Sequence, residues 1–478
     1  MTAFLYALGV VIFLIAIFVS IALHELGHLH YAKKFGCRVS EYMVGFGPTV
    51  WSRKLGETEY GIKLVPLGGY VKIIGMFPPE KGETIEQAVE RSKELKRQRE
   101  AAAEKPGGGA DAAPSPEREP EVVLRKSNTG LFAQMVSRSR SAEFELVEPG
   151  DEDRLFYKLP WHRKMLVMLA GPGVNICIAF VCFLGVYGIH GVHTVEPTGE
   201  PVVATVADCL IDESEGRTTC AADDPYSPAR MAGLEVGDEI VAFNGEPVET
   251  WDEVSALVHA NQDGPLQLDV VRDGEQVSLS QTSTVTMARD LDGTGETTTV
   301  GYLGVSPVSE EVVTRHGPIY TMIQMGETTA HAVTSIAQLP VKVWNVAQAV
   351  VGVDERDQDG PMSIVGGSRL AGEVTSSDAE GLDIGGKTAL LVMFIGSFNL
   401  FIGVFNLVPL LPLDGGHILG AAWEGLRKGI AKVRRKADPG YVNVAAQLPL
   451  AYCIGLALVS MGLVLMIGDL VVPLRTGL

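Results

Sequence analysis

The chain has 478 residues, a hydrophobic fraction of 46% and a mean hydropathy of +0.19, which point away from a wholly soluble protein and towards about three domains. Its net charge is −19, and residues 190–388 carry 33 acidic against 9 basic side chains. That balance argues against nucleic acid or anionic lipid as the partner of this segment.

From Leu5 to Leu23 the only hydroxyl-bearing side chains are Tyr6 and Ser20, and no charge interrupts the run. Phe4–Leu23 is therefore long enough to cross a hydrocarbon core of about 30 Å. It lacks the basic leader and A-x-A cleavage site of a signal peptide, so it reads as a retained helix. His24-Glu25-Leu26-Gly27-His28 follows directly. In H-E-x-x-H the two imidazoles share one helix face and can grip one Zn²⁺, while the glutamate faces a water. Ionisable groups are costly in lipid and default there to a functional reading. His30 does not continue a soluble-zincin pattern and reads as a plain polar residue.

After this helix, Arg38 to Lys72 reads as short strands, with turn chemistry at Pro66-Leu67-Gly68-Gly69-Tyr70 leading into Val71-Lys72-Ile73-Ile74. Residues 1–79 thus form a first unit of spanning helix and hairpin. Residues 80–155 change character: charged over Glu83–Ala103, Gly/Pro/Ala-rich over Lys105–Pro120, polar over Ser137–Asp153. They read as a disordered or partly helical insertion acting as a tether. A second span, Met165–Ile189, lies within 156–190.

A β-rich unit is expected at 200–286, with an Asn244-Gly245 hairpin turn, a helix at Trp251–Ala260 and a second hairpin through Asp273-Gly274. Cys209 and Cys220 fall in one polar excursion of this unit, where an oxidising compartment would let them pair. Residues 287–388 read as a helical or linker region. Within it His316–Val351 has one apolar face, suited to packing on the β unit or lying on a membrane surface. The last unit, 389–478, carries spans at Ala389–Val408 and Leu448–Ile467.

Lysine and arginine concentrate in 30–164 and 415–447, so the positive-inside rule makes those segments cytoplasmic and puts 190–388 and both termini outside. The third span then runs inward and ends in Asn406-Leu407-Val408-Pro409-Leu410-Leu411-Pro412-Leu413-Asp414-Gly415-Gly416-His417. Asp414 arrives on the same side of the bilayer as His24 and His28, which makes it the candidate third zinc ligand, with His417 as its competitor.

His24-Glu25-Leu26-Gly27-His28, the Gly68–Ile73 hairpin, Ala170-Gly171-Pro172-Gly173-Val174-Asn175 and the 406–416 run together resemble the site-2 protease family. The unit at 200–286 resembles a PDZ domain through AGLEVGDEIVAFNGEPV. The resemblance implies a polytopic α-helical membrane protein of four transmembrane helices with a re-entrant β-hairpin, plus an extracytoplasmic β-rich PDZ-like domain. It also implies a multi-pass location in a bacterial plasma membrane. The activity implied is a zinc metalloprotease cutting the membrane segment of a single-pass protein, an anti-sigma factor already trimmed by an upstream site-1-type protease. In that reading His24, His28 and Asp414 hold Zn²⁺ and Glu25 is the general base. Gly68, Gly69 and Tyr70 belong to a hairpin that holds the unwound substrate as an added strand. Asn406, and with it Asn175, would bond the substrate backbone. The alternative is a non-proteolytic zinc-binding membrane scaffold acting through its PDZ domain, for which an intact Glu25 has no evident use. The insertion at 80–155 and the Cys-bearing excursion at 207–224 depart from the family pattern.

Overall fold

The computed structural model describes residues 2–80, 82–103, 131–211, 219–221, 223–289, 298–357, 360–377 and 383–474. The chain divides into a unit formed by 1–190 and 316–478 and a second formed by 191–315.

The first unit opens with α1 (Thr2–Lys34), a helix of about 50 Å whose lower half carries the two histidines. A Cβ at Gly27 would lie 2.7 Å from the Ala170 carbonyl oxygen, so this glycine lets α1 cross close to α4 (Trp161–Gly185). Between them lie β1 (Val39–Leu55) and β2 (Thr58–Ile73). The first part of β1 is flanked on both sides by β2: Tyr42 pairs with Tyr60 on one side and Val71 on the other. The Gly69–Ile73 arm is thereby set along Val39–Val44, and the Tyr42 hydroxyl donates to the Ala22 carbonyl at 2.7 Å, tying the sheet to α1. Val50, Trp51, Leu55, Leu64 and Val65 of this sheet are exposed.

The expected tether at 80–155 has structured ends. Helices α2 (Ile85–Ala103) and α3 (Leu131–Phe144) pack together, and Ala88, Phe144 and Val147 enclose Ile74, Leu155 and Tyr157 in one apolar cluster. Apolar residues at helical spacing within a highly charged sequence suffice for this, because only one narrow stripe has to be buried. The Gly/Pro/Ala-rich stretch at 105–120 lies outside the described residues.

The second unit is wider than the expected 200–286 because its first and last strands pair. Val192–Pro197 runs antiparallel to Ser309–Thr314, and Val203–Val206 to Val305–Pro307. A four-stranded antiparallel sheet orders Glu246–Pro247, Glu239–Phe243, Leu268–Arg272 and Glu275–Ser278. Two helices accompany it, α5 (Pro228–Ala232) and α6 (Trp251–Ala260), the latter started by a capping box between Thr250 and Glu253. Val203, Ile240, Phe243, Trp251, Val254, Leu268 and Leu303 fill the core. Cys209 and Cys220 are joined in a disulfide with Cα atoms 6.0 Å apart.

Back in the first unit, α7 (Pro318–Val350) packs against α4 and two later helices, α9 (Ile384–Asn406) and α11 (Leu448–Val471). The apolar face expected over 316–351 thus meets other helices: Met325 joins Ala179, Phe183 and Leu400, and Val343 and Val346 join Leu465. Helix α8 (Ile364–Ser376) lies along the upper half of α1, with Gly367 and Ala371 facing Phe13 and Gly9. Between α9 and α11 runs α10 (Asp414–Val433). Among the described residues, four helical stretches are long and apolar enough to cross a membrane: Thr2–Lys34, Trp161–His190, Ile384–Asn406 and Val444–Val471.

Candidate metal centre

On α1 the helical repeat brings His24 and His28 one above the other, and both are buried. His28 Nδ1 lies 2.8 Å from the carbonyl oxygen of Val167 on α4. A carbonyl can only accept, so Nδ1 carries the proton and Nε2 keeps its lone pair, the tautomer a metal ligand needs. The His24 and His28 Nε2 atoms are 3.2 Å apart.

Asp414 closes the third corner. It sits at the first position of α10, after α9 has ended at Asn406 and the chain has turned through Pro409-Leu410-Leu411-Pro412. The turn is tight enough to require glycine behind the aspartate: a Cβ at Gly415 would lie 2.1 Å from the Val408 carbonyl oxygen. Asp414 Oδ2 then stands 3.3 Å from each of the two Nε2 atoms. Burial favours a neutral Asp414, but charge from His28 and hydrogen bonding to His24 and His28 outweigh it and hold the carboxyl well below the usual carboxylate range.

The triangle of 3.2, 3.3 and 3.3 Å fits one specific occupant. Tetrahedral zinc with ligand bonds of about 2.0–2.1 Å has ligand-to-ligand edges of about 3.3–3.4 Å. The space for it is kept by Gly171 of α4. A Cβ there would fall 2.2 Å from His28 Nε2 and 2.7 Å from His24 Nε2. His24, His28 and Asp414 are the group among the described residues whose donor atoms are close enough to share one ion.

These residues line a cavity of about 500 Å³, together with Glu25, Gly68, Gly69, Tyr70, Val71, Asn175, Asn406 and His417. Every residue expected at the site from the sequence is therefore brought to one chamber. Glu25 faces the hairpin, since a Cβ at Gly69 would lie 2.9 Å from Glu25 Cγ. Gly68 has a φ of +118° and packs under the Phe46 ring, a backbone conformation that favours glycine where the sheet bends towards α1. Asn175 is buried, and its Oδ1 has no hydrogen-bond partner in the fold. His417 shares the cavity but not the triangle, and burial pushes its imidazole down to about 4. His30 is exposed and stacks edge-on against Tyr31.

Three contributors carry no signal of their own in the sequence. Val167 acts through its backbone carbonyl, Tyr42 through a bond to the α1 backbone, and Gly171 by having no side chain. Of these only Gly171 lies in a recognisable stretch, 170–175.

The model of peptidase family M50 matches residues 12–450 of the chain. Zinc metalloprotease Rip1 of Mycobacterium tuberculosis (strain ATCC 25618 / H37Rv) is 29% identical over 479 residues, covering 98% of this chain and 99% of that protein. Zinc metalloprotease RasP of Geobacillus kaustophilus is 30% identical over 88% of this chain and 90% of its own length. Protease RseP of Yersinia pestis is 27% identical over 87% of this chain and 90% of its own.

Proposed function

The chain belongs to peptidase family M50, the site-2 proteases, and from that premise we propose that it hydrolyses a peptide bond within the transmembrane segment of single-pass membrane proteins. The observation that carries this reading is the zinc-sized triangle of His24, His28 and Asp414, set beside Glu25 in a chamber built from membrane-length helices. The three would hold Zn²⁺, in keeping with the zinc metalloproteases the chain is similar to. Bound there, zinc supplies Lewis acidity at the scissile carbonyl and brings the pKa of a water down towards ~7.

Glu25 takes the proton from that water and passes it to the leaving amine. A helical substrate has its backbone groups already satisfied, so it must unwind before its carbonyl can be attacked. The Gly68–Ile73 arm supports that step: it borders the chamber and can pair with an extended segment as an added strand. The exposed Val50, Trp51 and Leu64 support a sheet that dips into the membrane rather than one standing in water. Asn406 and Asn175 are assigned to the unwound backbone, and the unpartnered Asn175 Oδ1 supports that role.

Charge supports an orientation in a bacterial plasma membrane with 30–164 and 415–447 in the cytoplasm, and with both termini and the unit at 191–315 outside. A cysteine tag at Ser280 should then react with an impermeant reagent added from outside, and one at Glu86 should not; the reverse pattern overturns the orientation. We read the 191–315 unit as a PDZ-like module that screens substrates. The substrate class that best fits a protease cutting in the membrane and freeing a cytoplasmic portion is an anti-sigma factor first trimmed by a site-1-type protease. Co-expressing single-pass anti-sigma factors with the wild type should yield a shortened fragment that Glu25→Gln does not. A loss of several orders of magnitude is expected, beyond the ~10²–10⁴ of a proton-transfer contribution alone. An equal fragment from the Glu25→Gln protein would remove Glu25 from the base role.

A further inference from the structure

Helices α4 and α10 lie against each other with opposite sequence direction, and the metal triangle sits at one end of their contact. There Gly171 and Val167 of α4 face His24 and His28, and Asp414 begins α10. At the other end α10 meets the start of α4. Lys164 Nζ bonds Glu424 Oε2 at 2.6 Å, and a Cβ at Gly425 would lie 2.6 Å from the Trp161 indole. Lys164, Val167 and Gly171 follow one another on one face of α4, as Asp414, His417, Ala421 and Glu424 do on α10. The distance from Asp414 to Glu424 along the helix is about 15 Å.

The ion pair is more elaborate than a surface bridge. The side chains of Lys164 and Glu424 are 9% and 2% exposed. The second carboxylate oxygen of Glu424 takes Lys428 Nζ at 2.8 Å, and the Tyr441 ring lies 5.0 Å from each ammonium. Tyr157 then closes on the edge of Tyr441 at 5.2 Å. Drawing charges out of water costs more than their attraction returns unless geometry is good, and an apolar pair of equal volume usually stabilises as well or better. What ions supply that apolar groups do not is a single register, because Glu424 bonds well at only one position along α4.

We infer that the Lys164–Glu424–Lys428 triad, clamped by Tyr441, is a positioning device that fixes α10 in register on α4 and so sets Asp414 at ligand distance from His24 and His28. Asp414 needs such a device more than the histidines do, since their spacing is built into α1. The inference rests on the reading of His24, His28 and Asp414 as the zinc ligands.

Zinc affinity by chelator competition and apo-protein melting temperature are to be measured on the full chain for wild type, E424Q, the double variant K164M/E424M, and D414A. E424Q should weaken zinc binding by about 10- to 100-fold, the range of a lost outer-shell partner. The double variant replaces the pair with apolar groups of similar size. It should melt at or above the wild-type temperature yet bind zinc at least about tenfold more weakly, because packing is restored and register is not. A double variant with wild-type zinc affinity overturns the inference, and so does one that fails to fold, since the pair then serves stability. D414A separates the two levels: if it keeps tight stoichiometric zinc, the ligand reading itself fails, whatever the triad variants do.

Discussion

In the unit at 191–315 the side chains removed from solvent are those of an ordinary soluble core, Val203, Ile240, Phe243, Leu268 and Leu303, and its buried acid, Asp238, is met at once by Arg272. In the helical unit the distribution is inverted. Leu14, Ile15, Val181 and Leu456 point outward, while His24, His28, Asn175, Glu424 and Asp469 are buried. Lipid asks nothing polar of a surface, and with no water in reach each interior polar group must find its partner inside the protein. A buried polar side chain therefore means different things in the two units. In the first it closes a local network; in the second it marks either the metal triangle or one of the ion pairs that hold helices in place.

The most damaging test of this contrast needs no polar residue at all. Gly171→Ala adds one methyl where His24 and His28 converge, at 2.2 Å from His28 Nε2. Neither α4 nor α1 can retreat easily, because Gly27 already brings the two backbones into contact. The variant is expected to lose both bound zinc and cleavage while the 191–315 unit melts as in the wild type. Zinc content near one per chain in that protein would mean that the cradle lies elsewhere.

The same contrast explains how much could be read in the sequence. His24, Glu25 and His28 were visible because one helix sets their spacing, and the four spans because apolar runs of that length have few other uses. Asp414 was reachable only by counting membrane crossings and by the resemblance of its loop. Gly171, Val167 and Tyr42 were not separately visible, since a missing side chain and two backbone bonds leave no pattern in a single sequence. The edges of the 191–315 unit were misjudged for a related reason. Val192–Pro197 and Ser309–Thr314 are joined by pairing across more than a hundred residues, and no local turn signal announces it.

A pair of substitutions within the chamber should differ in kind. Asp414→Ala removes a corner of the triangle, so zinc affinity and activity should fall together, by more than the ~10–100-fold of a lost outer-shell partner. Asn406→Ala should leave zinc in place and lower kcat/KM by roughly tenfold, the worth of one hydrogen bond of about 1–1.5 kcal/mol. Metal analysis beside a cleavage assay distinguishes them, and an Asn406→Ala protein short of zinc would move that residue out of the substrate role.

The smallest effect on the chemistry is expected from the largest polar change in the other unit. Asp238 is 1% exposed and takes two bonds of 2.7 Å from Arg272 and one of 2.9 Å from the Glu235 amide. Burial alone would raise its pKa, but those bonds and the charge of Arg272 prevail and hold it below the ordinary carboxylate value. A carboxyl held low in the fold adds stability that is complete above its unfolded pKa of about 3.9 and is lost as pH falls through the folded value. Asp238→Ala should therefore lower the stability of the 191–315 unit by about 2–3 kcal/mol near neutral pH, the scale for hydrogen bonds to a charged group. The gap between variant and wild type should narrow below about pH 4, as the wild type protonates. Zinc content should not move, because every atom of the triangle and its cradle belongs to the helical unit. Thermal melts across pH with zinc analysis on the same samples test both halves. A variant that loses zinc along with stability would show that the two units do not fold as separately as their cores suggest.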